Sequence, residues 1–66
     1  MKDYFLYNRA KDQVICFGNG DVVIYGSIQE AIYDCYGEEE IVTYDQLPKQ
    51  WQLTIIRQIR NGKHQN

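Results

Sequence analysis

The chain has 66 residues, of which 44% are hydrophobic and 24% are charged, and its formal net charge is −2. A chain of this length forms one small domain with a thin core, and this composition is typical of globular rather than disordered proteins. The negative charge excludes a general electrostatic attraction to nucleic acid or anionic membranes. The sequence also lacks the apolar stretch of a signal peptide or a membrane span, so we expect a cytoplasmic protein.

Three β-rich stretches open the chain, at residues 3–7, 13–17 and 22–25. The polar residues 8–12 separate the first two, and Asn19-Gly20 lies before the third, where it suits a type I′ hairpin turn. The pattern predicts a three-stranded antiparallel meander. Because these strands are apolar on both faces, we expect other elements to cover each side of the sheet.

A first helix is predicted over residues 27–36. Ser27 and Glu30 have the spacing of a capping box, in which each side chain accepts a hydrogen bond from the other residue's backbone N–H. Gly37 suits the left-handed position that ends a helix. The predicted apolar stripe of this helix has four members: Ile28, Ala31, Ile32 and Cys35.

A fourth strand is predicted over residues 40–44, followed by a second helix that begins at Leu47-Pro48 and ends at Asn61-Gly62. Leu53 falls on the side of this helix opposite its apolar stripe. Residues 63–66 are predicted to be a frayed tail. The stripe has three members spaced four residues apart: Trp51, Ile55 and Ile59.

The predicted fold is therefore α+β, a single domain over residues 1–62 with the element order β-β-β-α-β-α. It has a mainly antiparallel sheet of three to four strands, packed by two helices. If both helices lie on one face, the other face stays partly exposed and invites a second copy or a partner.

Residues that could support catalysis are few. His64, the single histidine, falls in the predicted tail, where nothing would fix its tautomer or pKa. Cys16 and Cys35 lie on apolar stripes that point inward, and we expect two reduced, buried thiols; a disulfide between them would require secretion. Gly18-Asn19-Gly20 leads into a strand and lacks the residues of a phosphate-binding loop. We therefore predict no enzyme activity, no metal site and no cofactor.

The second half of the chain separates its charges. Residues 34–48 contain five acids and no Lys or Arg, whereas residues 49–66 contain four bases and no acid. The acidic run has three interpretations: a solvated connector, an internal complement to the basic second helix, or a surface for a partner protein. Tyrosines beside carboxylates can anchor Arg or Lys. The candidate partner-binding residues are Tyr33, Tyr36, Glu38, Glu39, Glu40, Tyr44 and Asp45.

The leading functional hypothesis is a small non-enzymatic protein-interaction module that acts stoichiometrically, as an adaptor or an inhibitor. Inhibitors of this size and charge suit phage or mobile elements, where an acidic surface can occupy a partner's nucleic-acid site. A second hypothesis is nucleic-acid binding by the second helix, although no aromatic residues interleave with its bases. Its candidate residues are Lys49, Arg57, Arg60 and Lys63. A third hypothesis is a structural subunit of an oligomer such as a homodimer.

Overall fold

Residues 2–62 are described by a computed structural model, in which a three-stranded antiparallel sheet packs with two α-helices. The predicted α+β class is thereby confirmed, whereas the predicted strand count and order are only partly met. The predicted tail, which includes Lys63 and His64, lies outside the described residues. The elements in chain order are β1 (Tyr4–Asn8), β2 (Gln13–Val14), α1 (Ile28–Asp34), β3 (Glu40–Thr43), a short 3₁₀ helix (Tyr44–Gln46) and α2 (Lys49–Arg60).

The strand β1 is the centre of the sheet, whose order is β2-β1-β3. Tyr7 is opposite Val14 on one side, and Phe5 is opposite Val42 on the other. The strand predicted as the fourth is therefore the third and lies beside the first. This placement gives β1 partners on both edges, and its three middle residues are buried.

Residues 22–25, predicted as a strand, form two isolated bridges instead, Cys16 with Val22 and Tyr4 with Tyr25. The second predicted strand is also shorter than expected, because the chain leaves β1 after Ile15 donates its N–H to the carbonyl of Leu6. Tyr25 then returns to pair with Tyr4. Tyr25 occupies the edge of β1 that a longer β2 would have filled. Residues 22–25 therefore form bridges instead of the predicted third strand.

The turn at residues 18–20 differs from the predicted type I′ turn. Of its residues, Gly20 alone has a positive φ, +93°, whereas a type I′ turn centred on Asn19-Gly20 requires a positive φ at both positions. The Gly20 N–H donates to the carbonyl of Phe17, and the Phe17 N–H donates to the backbone carbonyl of Asp21. This is a three-residue hairpin loop whose last residue is left-handed, a common alternative.

The two faces of the sheet are covered by different helices. Phe5, Tyr7 and Val42 point to one face, where they pack with Ile55 of α2. Leu6 points to the opposite face and packs with Ala31 of α1. The expectation that both sides are covered is confirmed, and a placement of both helices on one face is wrong. Alternation along β1 explains the division, because successive side chains of a strand point to opposite faces.

The helix α1 is shorter than the predicted 27–36. Ser27 is its N-cap and its Oγ accepts from the Glu30 N–H at 3.2 Å, as predicted. The Glu30 carboxylate, however, accepts from the N–H of Gly26 rather than that of Ser27, at 3.3 Å. The helix ends at Asp34 with Cys35 as its C-cap, so Gly37, with φ +68°, lies in the following turn and not at the predicted helix end.

The helix α2 begins at Lys49 with Pro48 as its N-cap, one residue later than a start with Pro in the first turn implies. Ile55 is buried, and Trp51 and Ile59 pack beside it, as the predicted stripe requires. Leu53 is exposed on the outer side, which confirms the second apolar side of this helix.

Candidate interaction surface

The helix α1 leaves most of its large apolar side chains in solvent. The exposed fraction is 47% for Ile28, 57% for Ile32, 83% for Tyr33 and 74% for Tyr36, which follows the helix. The predicted stripe, in which Ile28 and Ile32 faced the core, is therefore only half right. Of that stripe, Ala31 is fully buried and Cys35 is partly buried.

Polar contacts fix the rotation of α1 on the sheet. The hydroxyl of Tyr25 donates to Oδ2 of Asp34 at 2.8 Å, which turns this flank of the helix toward the protein. The Cys35 thiol donates to the carbonyl of Glu39 at 3.3 Å. Burial, and then the bond to Asp34, raise the pKa of Tyr25. Ala31 packs against Leu6 of the sheet, whereas Ile32 and Tyr33, which follow it, are exposed.

The α1 surface is defined as five exposed residues of α1 and the turn that follows it: Ile28, Ile32, Tyr33, Tyr36 and Glu38. Exposed apolar side chains scattered singly are normal on proteins, but several large ones on one short segment are typical of an interaction site. Residues 27–39 also carry four acids and no Lys or Arg. Asp34 bonds to Tyr25, and the α1 surface is thus largely apolar with Glu38 as its one acid.

The three consecutive glutamates have different surroundings. Glu38 is exposed, whereas Glu39 is partly buried and its carboxylate accepts from the backbone N–H of Tyr36 at 3.2 Å. Glu40 forms a two-point ion pair with Arg9, in which Nε and Nη2 of Arg9 each lie 3.1 Å from a carboxylate oxygen. Two of the three glutamates therefore have partners within the chain, and Glu38 has solvent around it.

The ion pair of Glu40 identifies its internal complement as Arg9 rather than the basic second helix. Register explains the contact: Glu40 is opposite Tyr7 in the sheet, and the Arg9 guanidinium lies 5.7 Å from the centre of the Tyr7 ring. The hydrogen bonds from Arg9 lower the pKa of Glu40, and those to Glu40 raise the pKa of Arg9. Both side chains are exposed, so the pair contributes little to stability.

Two predicted partner-binding residues lie apart from Tyr33 and Tyr36. Tyr44 packs against the cluster on the α2 face of the sheet, and its hydroxyl donates to the carbonyl of Gln52 at 3.4 Å. Asp45 is exposed in the 3₁₀ helix that follows β3. The seven residues predicted together are thus distributed over more than one surface.

The α2 surface is defined as the four exposed residues on the outer side of that helix: Lys49, Leu53, Arg57 and Arg60. Leu53, with 49% of its surface exposed, lies among the three cations. No acid occurs in residues 49–60. The opposite side of the helix carries Ile55 and Gln58, which are buried against the rest of the protein.

Asp12 makes contacts with β1 and α2 that the sequence pattern did not predict. It accepts at Oδ1 from the Tyr7 hydroxyl at 2.6 Å and at Oδ2 from Gln50 at 2.5 Å, and Nε1 of Trp51 donates to its backbone carbonyl at 3.2 Å. Its φ is +51°, a left-handed value that Asp adopts more readily than most residues. The bond to Asp12, followed by burial, raises the pKa of Tyr7. Asp12 thereby ties the first loop to the start of α2.

The cysteines are both free. Cys16 is exposed, so the expectation that its side chain points inward is wrong. Its thiol donates to the carbonyl of Val14 at 3.2 Å, and partial burial, then Asp21, raise its pKa. Cys35 is partly buried.

Within residues 2–62, the surface has no pocket and no group of three or more His, Cys, Asp or Glu residues placed to hold a metal ion. In the same part of the chain, neither helix has the length and apolar character required to cross a membrane. Comparisons with protein-family models, curated proteins and solved structures find no match to this chain.

Proposed function

We propose that this chain is a non-enzymatic protein-interaction module that binds its partner through the α1 surface. The observation that carries the proposal is the exposure of four large apolar or aromatic side chains on α1 and just after it. Aromatic residues are enriched in protein interfaces, and the most effective anchors are rings buried on binding. Burial of Ile28 and Ile32 against a partner removes their apolar surface from water, which favours binding.

The partner surface has apolar side chains flanked by Lys or Arg. Tyr33 and Tyr36 offer ring faces to cations, a contact worth about 0.5–1 kcal/mol at exposed sites and more when water is excluded. Glu38 adds negative charge at the edge, where it raises the rate of encounter rather than the affinity. A basic amphipathic helix has this combination of groups.

The module acts stoichiometrically in the cytoplasm, as an adaptor or an inhibitor. If its partner is a nucleic-acid-binding protein of the kind that phage or mobile elements target, the acidic α1 surface takes the place of phosphates and blocks their site. The acids around α1 support this version because they are not balanced by any base in residues 27–39.

The test is quantitative capture of partners from the native host lysate, identified by mass spectrometry. It compares the wild type with one double variant and one single variant that serves as the control. Ile32→Ser/Tyr33→Ser removes the centre of the α1 surface, and Leu53→Ser changes a comparably exposed apolar residue on the other face. We expect the double variant to lose capture at least about tenfold and Leu53→Ser to retain it. Both should keep the melting temperature, because exposed substitutions change stability by about 0.5 kcal/mol or less. Equal capture by all three proteins would exclude the α1 surface.

Charge variants refine the test. Glu38→Lys is expected to slow association with the partner and to reduce its salt dependence, because Glu38 is exposed beside Tyr36. Glu40→Lys breaks only the ion pair with Arg9 and serves as the control. A larger effect from Glu40→Lys than from Glu38→Lys would show that the internal pair, and not the acidic edge, governs binding.

Nucleic-acid binding is the second candidate, because Lys49, Arg57 and Arg60 share the exposed side of α2. Leu53 lies among them, where it adds nothing to phosphate binding, and Trp51 packs against the core instead of standing beside the bases for stacking. Titration with duplex and single-stranded oligonucleotides at rising salt tests this candidate. Binding at physiological salt that Arg57→Ala/Arg60→Ala abolishes would favour it over the protein partner.

A further inference from the structure

The α1 and α2 surfaces have complementary chemistry and lie on opposite sides of the molecule. The first is apolar and aromatic with the acid Glu38, and the second is an exposed leucine among three cations. Because α1 covers the Leu6 face of the sheet and α2 covers the Phe5 face, the two surfaces of one chain cannot meet. Between two chains they can.

We propose that the α1 surface of one copy binds the α2 surface of a second copy, head to tail. This inference rests on the proposed function and names a second copy of the chain as a partner of the α1 surface. Leu53 supplies the apolar contact to Ile28 and Ile32. Arg57 and Arg60 supply the cations for the tyrosine rings and for Glu38.

Charge decides between this arrangement and a symmetric dimer. In a dimer of α1 on α1, Glu38, the acid of that surface, would face Glu38 of the second copy. In a dimer of α2 on α2, the three cations of each helix would face one another. Like charges brought together across an interface cost several kcal/mol, whereas the head-to-tail contact pairs opposite charges.

A head-to-tail contact has a structural consequence, because each copy keeps one surface unused after the first contact. Further copies can add at both ends, so the assembly closes into a ring or grows as a filament. Association should therefore increase with concentration and weaken with salt, which screens the charges around the apolar centre.

The test uses two variants that each lose one surface. Arg57→Glu/Arg60→Glu removes the α2 surface, and Ile32→Ser/Tyr33→Ser removes the α1 surface. By sedimentation velocity at about 0.05 M salt, where charges act over more than 10 Å, wild type should exceed its 7.8 kDa monomer mass and shift to the monomer at about 0.5 M salt. Each variant alone should remain a monomer at both salt concentrations.

Mixing the two variants is the decisive measurement. Each retains the surface that the other has lost, so a mixture should form a dimer and stop there. Lys2→Glu/Lys11→Glu is the control for Arg57→Glu/Arg60→Glu, because it makes the same change in net charge at exposed positions outside both surfaces. This control should associate as wild type does. Circular dichroism checks that each variant is folded.

Three outcomes would overturn the proposal: a monomeric wild type at low salt, a mixture that stays monomeric, or one variant that dimerises alone. The last would indicate a symmetric contact. The proposed function fails separately. If wild type is monomeric but Ile32→Ser/Tyr33→Ser still loses capture of a host partner, head-to-tail pairing is wrong and the α1 surface stands. If capture also survives, both are wrong.

Discussion

The side chain of Gln58, in α2, makes the hydrogen bonds that a neighbouring strand would otherwise make with the backbone of Val22, 36 residues earlier in the chain. Its Nε2 donates to the Val22 carbonyl at 2.9 Å, and its Oε1 accepts from the Val22 N–H at 2.7 Å. Val22 meets Cys16 on its other edge, so these two backbone groups point away from the hairpin and toward the helix. Gln58 is buried, and buried polar groups require such partners.

We expect Gln58→Leu to lower the free energy of unfolding by about 2 kcal/mol, because it removes the amide that pairs with two backbone groups of Val22. Urea denaturation followed by circular dichroism measures the change. Gln29→Leu is the control, since Gln29 is an exposed glutamine on α1 and its replacement should cost about 0.5 kcal/mol or less. If the two variants are equally stable, the pairing with Val22 contributes nothing.

Tyr25 makes the stability of the fold depend on pH in the alkaline range. Burial and the bond to Asp34 raise the pKa of Tyr25 in the folded chain, so the unfolded chain ionises first as the pH rises past about 10. Its contribution is therefore complete below about pH 10 and is lost above it. We expect the urea midpoint to fall between about pH 9 and about pH 11, and to fall less in Tyr25→Phe. An equal fall in Tyr25→Phe would assign the effect to other groups.

At the scale of the element, the rotation of α1 determines which side chains the module presents. Ala31 is buried between Leu6 and Tyr25, whereas Ile32, the next residue, is exposed. We expect Ala31→Leu to destabilise the fold by about 1–3 kcal/mol, because the added atoms force the helix from the sheet. Ile32→Ala should change stability by about 0.5 kcal/mol or less.

Thermal and urea unfolding of both variants distinguish the structure from the sequence pattern. An inward Ile32, as the apolar stripe predicts, would make Ile32→Ala cost about 2–5 kcal/mol. A large loss in Ile32→Ala with a small loss in Ala31→Leu would therefore reverse the assigned rotation, and with it the α1 surface.

Local signals account for what the sequence predicted correctly. The Ser27 cap, the stripe of α2 and the β-rich stretches of β1 and β3 depend on neighbours a few residues away, and they identified the α+β class with an antiparallel sheet and two helices. The exposed Tyr33 and Tyr36 were also among the candidate residues. No local pattern, however, decides how a helix rotates on a sheet that is assembled from distant strands.

Long-range contacts account for what the sequence did not predict. The pairing of Glu40 with Arg9 joins residues 31 apart, and that of Gln58 with Val22 joins residues 36 apart. The first removes Glu40 from the set of free acids, and the second gives both backbone groups of Val22 a partner without a neighbouring strand. Each depends on the order β2-β1-β3, which brings β3 beside β1 and is not encoded in any one segment.

At the scale of the whole molecule, β1 is the layer that both halves of the core share. Phe5 belongs to the cluster under α2 and Leu6 to the cluster under α1, and both are fully buried. Each cluster is thin, as expected for a chain this short. Neither can bury its apolar side chains without the strand that also supports the other, so the two faces should fold together.

Leu6→Ala tests this coupling from one face to the other. We expect a loss of about 2–5 kcal/mol, comparable with the whole stability of a domain of this size at about 0.05–0.15 kcal/mol per residue. Trp51 packs on the far face, so its fluorescence reports on α2 although the substitution lies under α1. In urea, the Trp51 signal and the circular dichroism should change at the same, lowered midpoint. Leu53→Ala, exposed on α2, should leave both midpoints in place. If Trp51 kept its wild-type midpoint in Leu6→Ala while helix signal was lost, the α2 face would be stable alone, and the sheet would separate two independent halves instead of joining the two surfaces in one rigid body.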